Sequence, residues 1–331
     1  MDESSDRSEC PFFQEERVDR YFLNARQVLK AEGLDPEVTL EVFPSRDGLL
    51  CGVTEVLGYL DQALSSGAEI WALSEGQEMS RKEVVLRVRT SYSGIGIYET
   101  ALLGTLAHSS GWATAAKACV EAANGILVIS FGARHVHPSV SDRMEYAALV
   151  GGFAGCATAA GATLAGREAT GTMPHAMIIV FGDTVKAAQA FDKHMSASMN
   201  RIVLVDTFRD EADESVRVAK AMGDRLWGVR LDTPSELGGV TPDMVCEVRS
   251  RLDQAGYRHV KILVSGGLNG ERIRMFVDRG CPVDGFGVGS AVSGAPPIDF
   301  TADIKEVEGR PVAKRGRVPG IVENPRLKKV K

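Results

Sequence analysis

Residues 261–290 read KILVSGGLNGERIRMFVDRGCPVDGFGVGS. The apolar run Lys261–Val264 ends in the turn Ser265-Gly266-Gly267, and a helix pattern opens after Asn269. That pattern carries Ile273, Phe276 and Val277 on one face and stops at Gly280. A second apolar run, Asp284–Gly287, then ends in Gly287-Val-Gly289-Ser290. Strand, glycine turn, amphipathic helix and strand in this order make a βα unit, and such units build parallel sheets.

Working outward, the same grammar extends back to about Gly125. Strands are expected at Ile126–Phe131, Met177–Phe181, Arg201–Asp206 and Trp227–Leu231. The starts at 201, 227, 261 and 284 lie 26, 34 and 23 residues apart, which is βα spacing. One intervening helix places Val216, Ala219 and Met222 on a face. Another opens at Thr241-Pro242, a cap followed by a first-turn proline, and carries Val245, Val248, Leu252 and Ala255. A closed barrel and an open doubly wound sheet both fit this spacing.

Before residue 110 the pattern is different. A helix is expected from Val18 to Leu34, and another from Tyr98 to His108. Glu69-Ile-Trp-Ala-Leu reads as a short apolar run, and Glu83–Arg89 alternates as a half-buried strand does. Residues 1–17 read as a mobile acidic tail. After 298 the βα pattern stops, and the last 22 residues hold eight Lys/Arg against one acid, Glu323, which reads as a solvated face.

Composition sets the class. The 331 residues are 44% hydrophobic and 25% charged, with a net charge of −6, as in a soluble globular protein with no bias toward nucleic acid. Six cysteines at 10, 51, 119, 156, 246 and 281 form no Cys-x-x-Cys, so they read as reduced thiols. The start, MDESSDRSEC, lacks a secretory pattern. Ala147–Gly166 is uncharged but rich in Ala and Gly, so it reads as one tightly packed core helix and not a membrane span. Together these readings give a cytoplasmic location with no membrane partner.

In parallel βα folds the working residues sit at the carboxyl ends of the strands. Here those ends supply Arg134 and His135, Asp206 and Thr207, Arg230 and Asp232, and the two Gly/Ser turns; His175 follows a Thr-Met-Pro turn. The N–H groups of Ser265-Gly266-Gly267 and Gly287-Val-Gly289-Ser290 form an anion cradle at the last two strands, a common phosphate position in barrels. Asp206 and Asp232 suit ribose hydroxyls or an indirectly held Mg²⁺, although strand-end aspartates also cap turns. Arg134 and Arg230 suit a planar carboxylate or a phosphate. His135 and His137 lack a third partner for zinc. The residues themselves therefore point to a phosphorylated, anionic small molecule with Mg²⁺.

Seven motifs occur in order: Tyr98-Glu-Thr-Ala-Leu-Leu-Gly, Ser130-Phe-Gly-Ala-Arg, Gly171-Thr-Met-Pro-His-Ala, Val205-Asp-Thr-Phe, Val229-Arg-Leu-Asp-Thr, Val264-Ser-Gly-Gly-Leu and Phe286-Gly-Val-Gly-Ser. From about residue 18 to 318 the series resembles the nicotinate phosphoribosyltransferases, which are type II phosphoribosyltransferases. The resemblance implies an α/β fold: an irregular, incomplete α/β barrel at 112–298, and an α/β sandwich formed by both chain ends at 18–111 and 299–331. It implies phosphoribosyl transfer from 5-phosphoribosyl 1-pyrophosphate (PRPP) to nicotinate, in NAD salvage, with Mg²⁺ and with ATP as co-substrate.

By that resemblance, Ser265, Gly266, Gly267, Gly287, Gly289 and Ser290, with Thr207 and Arg134, hold the phosphates of PRPP. Asp206 and Asp232 hold the ribose and the Mg²⁺–pyrophosphate. Phe131, Gly132, Arg134 and Arg230 receive nicotinate. Tyr21 stacks on the base from a neighbouring subunit, which implies a homodimer or higher homo-oligomer with shared sites. His175 is the phosphorylated histidine of the ATP-coupled reaction. One departure is His135, where family members often carry a second arginine. Quinolinate phosphoribosyltransferase is the alternative on the same fold. It binds two carboxylates and releases one as CO₂, so it calls for a denser cluster of cations than Arg134, Arg230 and His135. A nicotinamide-specific enzyme and a non-catalytic sugar-phosphate-binding regulator are the further alternatives.

Overall fold

A computed structural model describes residues 10–331, which fall into two compact units. One comprises the chain up to Thr114 together with Pro296–Lys331, and the other is Ala115–Ala295. The fold is mixed α/β: a curled, parallel half-barrel sheet in one unit and a separate antiparallel sheet in the other, as the resemblance implied.

The half-barrel unit has six strands: β1 (Leu127–Ser130), β2 (Gly155–Cys156), β3 (Ile202–Leu204), β4 (Gly228–Leu231), β5 (Lys261–Val264) and β6 (Gly285–Val288). They pair in the order β2-β1-β6-β5-β4-β3, all parallel. Every carboxyl end therefore lies on one rim. The strand cores Val203, Val229, Ile262, Val264 and Phe286 are fully buried, as expected of strands covered on both faces. The helices that follow the late strands start at side-chain caps. Asp210 accepts from Ala212 and Asp213, Thr241 from Met244, and Asn269 from Arg272.

The sheet does not close. β2 and β3 are its edges, and the chain between them is helical where a strand was expected. Met177–Phe181 lies in the helix His175–Phe181, not in a strand. Pro174 precedes this helix, and left-handed Gly182 ends it by donating to the carbonyls of Ile178 and Ile179. Only Ile178 is buried; Ile179 is 59% and Val180 85% exposed. With no neighbouring strand to pair with, a β-branched run takes the conformation that satisfies its own backbone.

Other expectations are also corrected. Ala147–Gly166 is not one helix: the helix Pro138–Val150 stops at Gly151-Gly152, β2 follows, and Ala159–Leu164 is a separate short helix. The helix begun near Tyr98 continues from Glu99 to Ala123. The expected tail falls partly outside the described residues. From Cys10 on it is folded: Phe12 is 4% exposed and stacks on Tyr59 and Tyr98. Among the described residues no helix is long and apolar enough to cross a membrane.

The other unit is a six-stranded antiparallel sheet. Its order is Arg310–Pro311, Phe300–Val307, Glu37–Pro44, Leu86–Ser91, Glu69–Ala72 and Lys328–Lys329, so both chain ends contribute. Val42, Leu86, Val88 and Ile70 pack with Leu60, Leu102 and Leu106 from helices. The basic end is surface structure: Lys331 pairs with Asp61, Arg326 with Glu83 and Lys329 with Glu69.

In the half-barrel unit two glutamates, Glu145 and Glu214, are entirely buried. Glu145, on the helix Pro138–Val150, accepts from the N–H groups of Ala157 (3.1 Å) and Thr158 (2.6 Å) and from the Thr158 hydroxyl (2.7 Å). It therefore ties down the loop that follows β2. Glu145→Gln would turn an NH₂ toward these donors and should cost about 1–3 kcal/mol of stability in urea unfolding. An unchanged midpoint would show that the loop is held by other contacts.

Candidate active site

The carboxyl ends of the parallel strands surround a cavity of about 560 Å³. Phe131, Arg134 and His135 line it from beyond β1, Arg230 and Asp232 from β4, Ser265–Gly267 from β5, and Gly287, Gly289 and Ser290 from β6; Thr172 and His175 come from the segment between β2 and β3. Nearly all of the residues singled out from the sequence thus converge on one place. Gly132, Asp206 and Thr207 lie beside the lining without forming it: Gly132 packs against Met144, and Asp206 bonds His175. Tyr21 does not line the cavity. It sits on the helix Arg20–Ala31 of the other unit, 62% exposed, with its ring against Phe22.

Two close approaches explain the glycines. A Cβ on Gly287 would collide with the Phe131 ring, so the bare strand end leaves room for that ring. Gly266 and Gly267 are both left-handed, with φ of 92° and 61°, which turns successive peptide planes at the cavity edge. A Cβ on Gly266 would stand 3.1 Å from Asp232 Oδ1.

The charged groups hold one another. His175 Nε2 is 3.0 Å from Asp206 Oδ2, and its Nδ1 is 3.9 Å from Asp232 Oδ2. Ser265 donates its hydroxyl to Asp232 Oδ1 at 2.9 Å. Arg230 donates Nη1–H to Thr172 Oγ1 at 2.7 Å and lies 5.2 Å from the Phe131 ring centroid, a cation–π distance. Burial lowers the Arg230 pKa, with Asp232 and Asp206 opposing that shift, so the guanidinium stays charged at neutral pH. Thr172 is the contact that sequence reasoning passed over: it stood inside a quoted motif, but a loop hydroxyl has no periodicity to mark it.

Four buried side-chain polar atoms have no protein partner among the described residues, and three of them are here: Asp206 Oδ1, Thr207 Oγ1 and Arg230 Nε. Asp206 and Thr207 lie just past β3, and Arg230 is on the neighbouring β4. Each such atom costs about 1–3 kcal/mol unless something bonds it, so the site is built to be completed by a polar ligand. Among the described residues no cluster of three or more His, Cys, Asp or Glu could cage a metal. Asp206 and Asp232 are the kind of donors through which Mg²⁺ is held together with water and substrate phosphate.

The hydrogen bond to Asp206 raises the His175 pKa from its ordinary 6.5, against the opposing effect of burial and with further help from Asp206 and Asp232 as charges. Two carboxylates facing one ring thus favour imidazolium. The stabilisation from protonated His175 is fully present below the unfolded value of about 6.5 and is lost as pH rises through the higher folded value. The His175 ring signals in NMR should therefore titrate above 6.5, and Asp206→Asn should bring the midpoint down. A midpoint unmoved by Asp206→Asn would show that Asp206 is not the cause.

The match to known proteins agrees with this geometry. The family model described as quinolinate phosphoribosyl transferase, C-terminal domain, matches residues 112–303, and the N-terminal domain model matches residues 19–110. A crystal structure of nicotinate-nucleotide pyrophosphorylase from Pyrococcus furiosus is 42% identical, with a TM-score of 0.88, over 97% of this chain and 82% of that one. A nicotinate phosphoribosyltransferase of Mycobacterium tuberculosis is 30% identical over 73% of this chain and 52% of its own length. Human nicotinate-nucleotide pyrophosphorylase is 27% identical over 74% of this chain and 75% of its own. The chain spans about half the length of the first curated relatives it matches. Two domain models in sequence, and a solved relative matched along nearly the whole chain, place this protein in the quinolinate phosphoribosyl transferase family.

Proposed function

We propose that the protein transfers a phosphoribosyl group from PRPP to the ring nitrogen of a pyridine carboxylate, releasing pyrophosphate, as a step of NAD biosynthesis. The observation that carries this reading is the pairing of Asp206 and Asp232, near a shared histidine, with two glycine turns on one cavity. The turns at 265–267 and 287–290 receive the 5′-phosphate through backbone N–H groups. Asp206 and Asp232 receive the ribose hydroxyls, and their charges lower the energy of the cation-like sugar as the bond from C1′ to pyrophosphate breaks. Mg²⁺, held through these carboxylates and the substrate phosphates, would neutralise the departing pyrophosphate. The His175 imidazole, which Asp206 biases toward its charged form, and the guanidinium of Arg230 keep the two carboxylates tolerable at close range.

Quinolinate is the first base in this reading, with loss of one carboxylate as CO₂. It is supported by the family model over both parts of the chain and by the similarity to the Pyrococcus furiosus protein. Nicotinate is the second. It is favoured by the basic side chains of the lining, which are two arginines, Arg134 and Arg230, and two histidines, His135 and His175, with no lysine. The similarity to nicotinate phosphoribosyltransferases of Mycobacterium tuberculosis points the same way. No ATP step belongs to the proposal. The resemblance implied ATP and a phosphorylated His175, but neither the family model nor the similarity to the Pyrococcus furiosus protein supports an ATP step.

The test is pyrophosphate release from PRPP and Mg²⁺ with quinolinate or nicotinate, with CO₂ counted in the first case. Turnover on quinolinate with equal CO₂ fixes the first reading, and turnover on nicotinate alone fixes the second. No turnover on either would overturn the proposal. Asp232→Asn should remain folded and lose about 10²–10⁴-fold in kcat; near-normal turnover would remove Asp232 from the chemistry.

A further inference from the structure

The phosphate turn after β5 is held by a side chain that does not line the cavity. Arg272 is in the first turn of the helix Gly270–Asp278, where its backbone N–H donates to the Asn269 cap at 2.8 Å. Its guanidinium reaches back over the turn. Nη1 donates to the carbonyls of Gly266 (3.0 Å) and Gly267 (3.3 Å), and Nη2 donates to that of Val240 (3.3 Å). Among the described residues Arg272 forms no ion pair, so an uncompensated cation is committed to backbone oxygens.

The peptide plane gives this arrangement a consequence. In a trans peptide the C=O of one residue and the N–H of the next point in opposite directions. Arg272 draws the Gly266 carbonyl toward itself and so turns the Gly267 N–H away; holding the Gly267 carbonyl does the same to the N–H of Leu268. Gly266 and Gly267 line the cavity and Arg272 does not, so "away" is the cavity side. Among the described residues no carbonyl or side chain accepts from the N–H of Gly267 or Leu268, although Leu268 is buried. Donors oriented but unused are what an anion site consists of.

We propose that Arg272 is a positioning residue for this turn. By fixing two carbonyls behind it, Arg272 sets the direction of the donors that receive the sugar phosphate, without touching the ligand. Two left-handed glycines have many alternative conformations, and the guanidinium selects one of them before ligand arrives. The inference rests on the phosphoribosyl reading above and identifies which residue prepares its phosphate subsite.

Calorimetry with ribose 5-phosphate and kinetics with PRPP test it on the full chain, using Arg272→Met and Arg272→Lys. Arg272→Met should weaken ribose 5-phosphate and raise the KM for PRPP by about tenfold or more, while kcat changes little. Arg272→Lys, which keeps a donor but not the fork, should recover part of the affinity. The amide signals of Gly267 and Leu268 in ¹⁵N spectra should move in both variants before ligand is added. A lowered melting temperature with unchanged ribose 5-phosphate affinity in either folded variant would overturn the proposal and leave Arg272 a helix staple. Failure of the unmodified protein to bind ribose 5-phosphate or PRPP would instead overturn the phosphoribosyl reading, and the proposal with it.

Discussion

Two carboxylates lie at the ends of neighbouring parallel strands, and the rest of the site is arranged around making that tolerable. Like charges at close range raise one another's cost of ionisation. Here one imidazole stands near both, Ser265 donates to Asp232, and the Arg230 guanidinium is held in place by Thr172 and the Phe131 ring. The arrangement is nonetheless incomplete. Among the described residues no group bonds the buried Asp206 Oδ1, Thr207 Oγ1 and Arg230 Nε, a cost that a hydroxylated, phosphorylated ligand would remove.

That constraint explains the placement of polar and bare residues on the rim. β5 and β6 end in glycines, where backbone N–H groups can face an anion without side chains in the way. β3 and β4 end in acids, and β1 leads to the basic residues Arg134 and His135. The strand order β2-β1-β6-β5-β4-β3 puts the two glycine turns between these basic residues and the acids. What each strand end carries is local sequence, and the sheet order decides which of them are neighbours. The gap between β2 and β3 belongs to the same design: its helical segment brings His175 to Asp206, a position that a strand continuing the sheet would not supply.

Much of this was legible in residues 261–290 and their counterparts upstream. Runs of four or five apolar residues ending in Ser-Gly-Gly or Gly-Val-Gly-Ser, followed by capped amphipathic helices, are local signals. Local backbone rules act over a few residues and do not need the rest of the chain. The same locality explains the errors. Met177–Phe181 has strand composition but becomes helix because no partner strand is beside it, and Ala147–Gly166 has helix composition but breaks at a glycine pair to supply β2.

By itself, then, the sequence determined the parallel βα unit, its glycine turns and the acids and arginines at the strand ends, because periodicity and turn chemistry are properties of adjacent residues. Only the tertiary structure decided that Met177–Phe181 lies in a helix, that Thr172 holds Arg230, that His175 spans two aspartates, and that Arg272 grips the phosphate turn from behind. Each of those is a contact between residues brought together by strand order or by the path of a loop. No periodicity records such a contact, since its energy is set by what the folded chain leaves buried and unpaired.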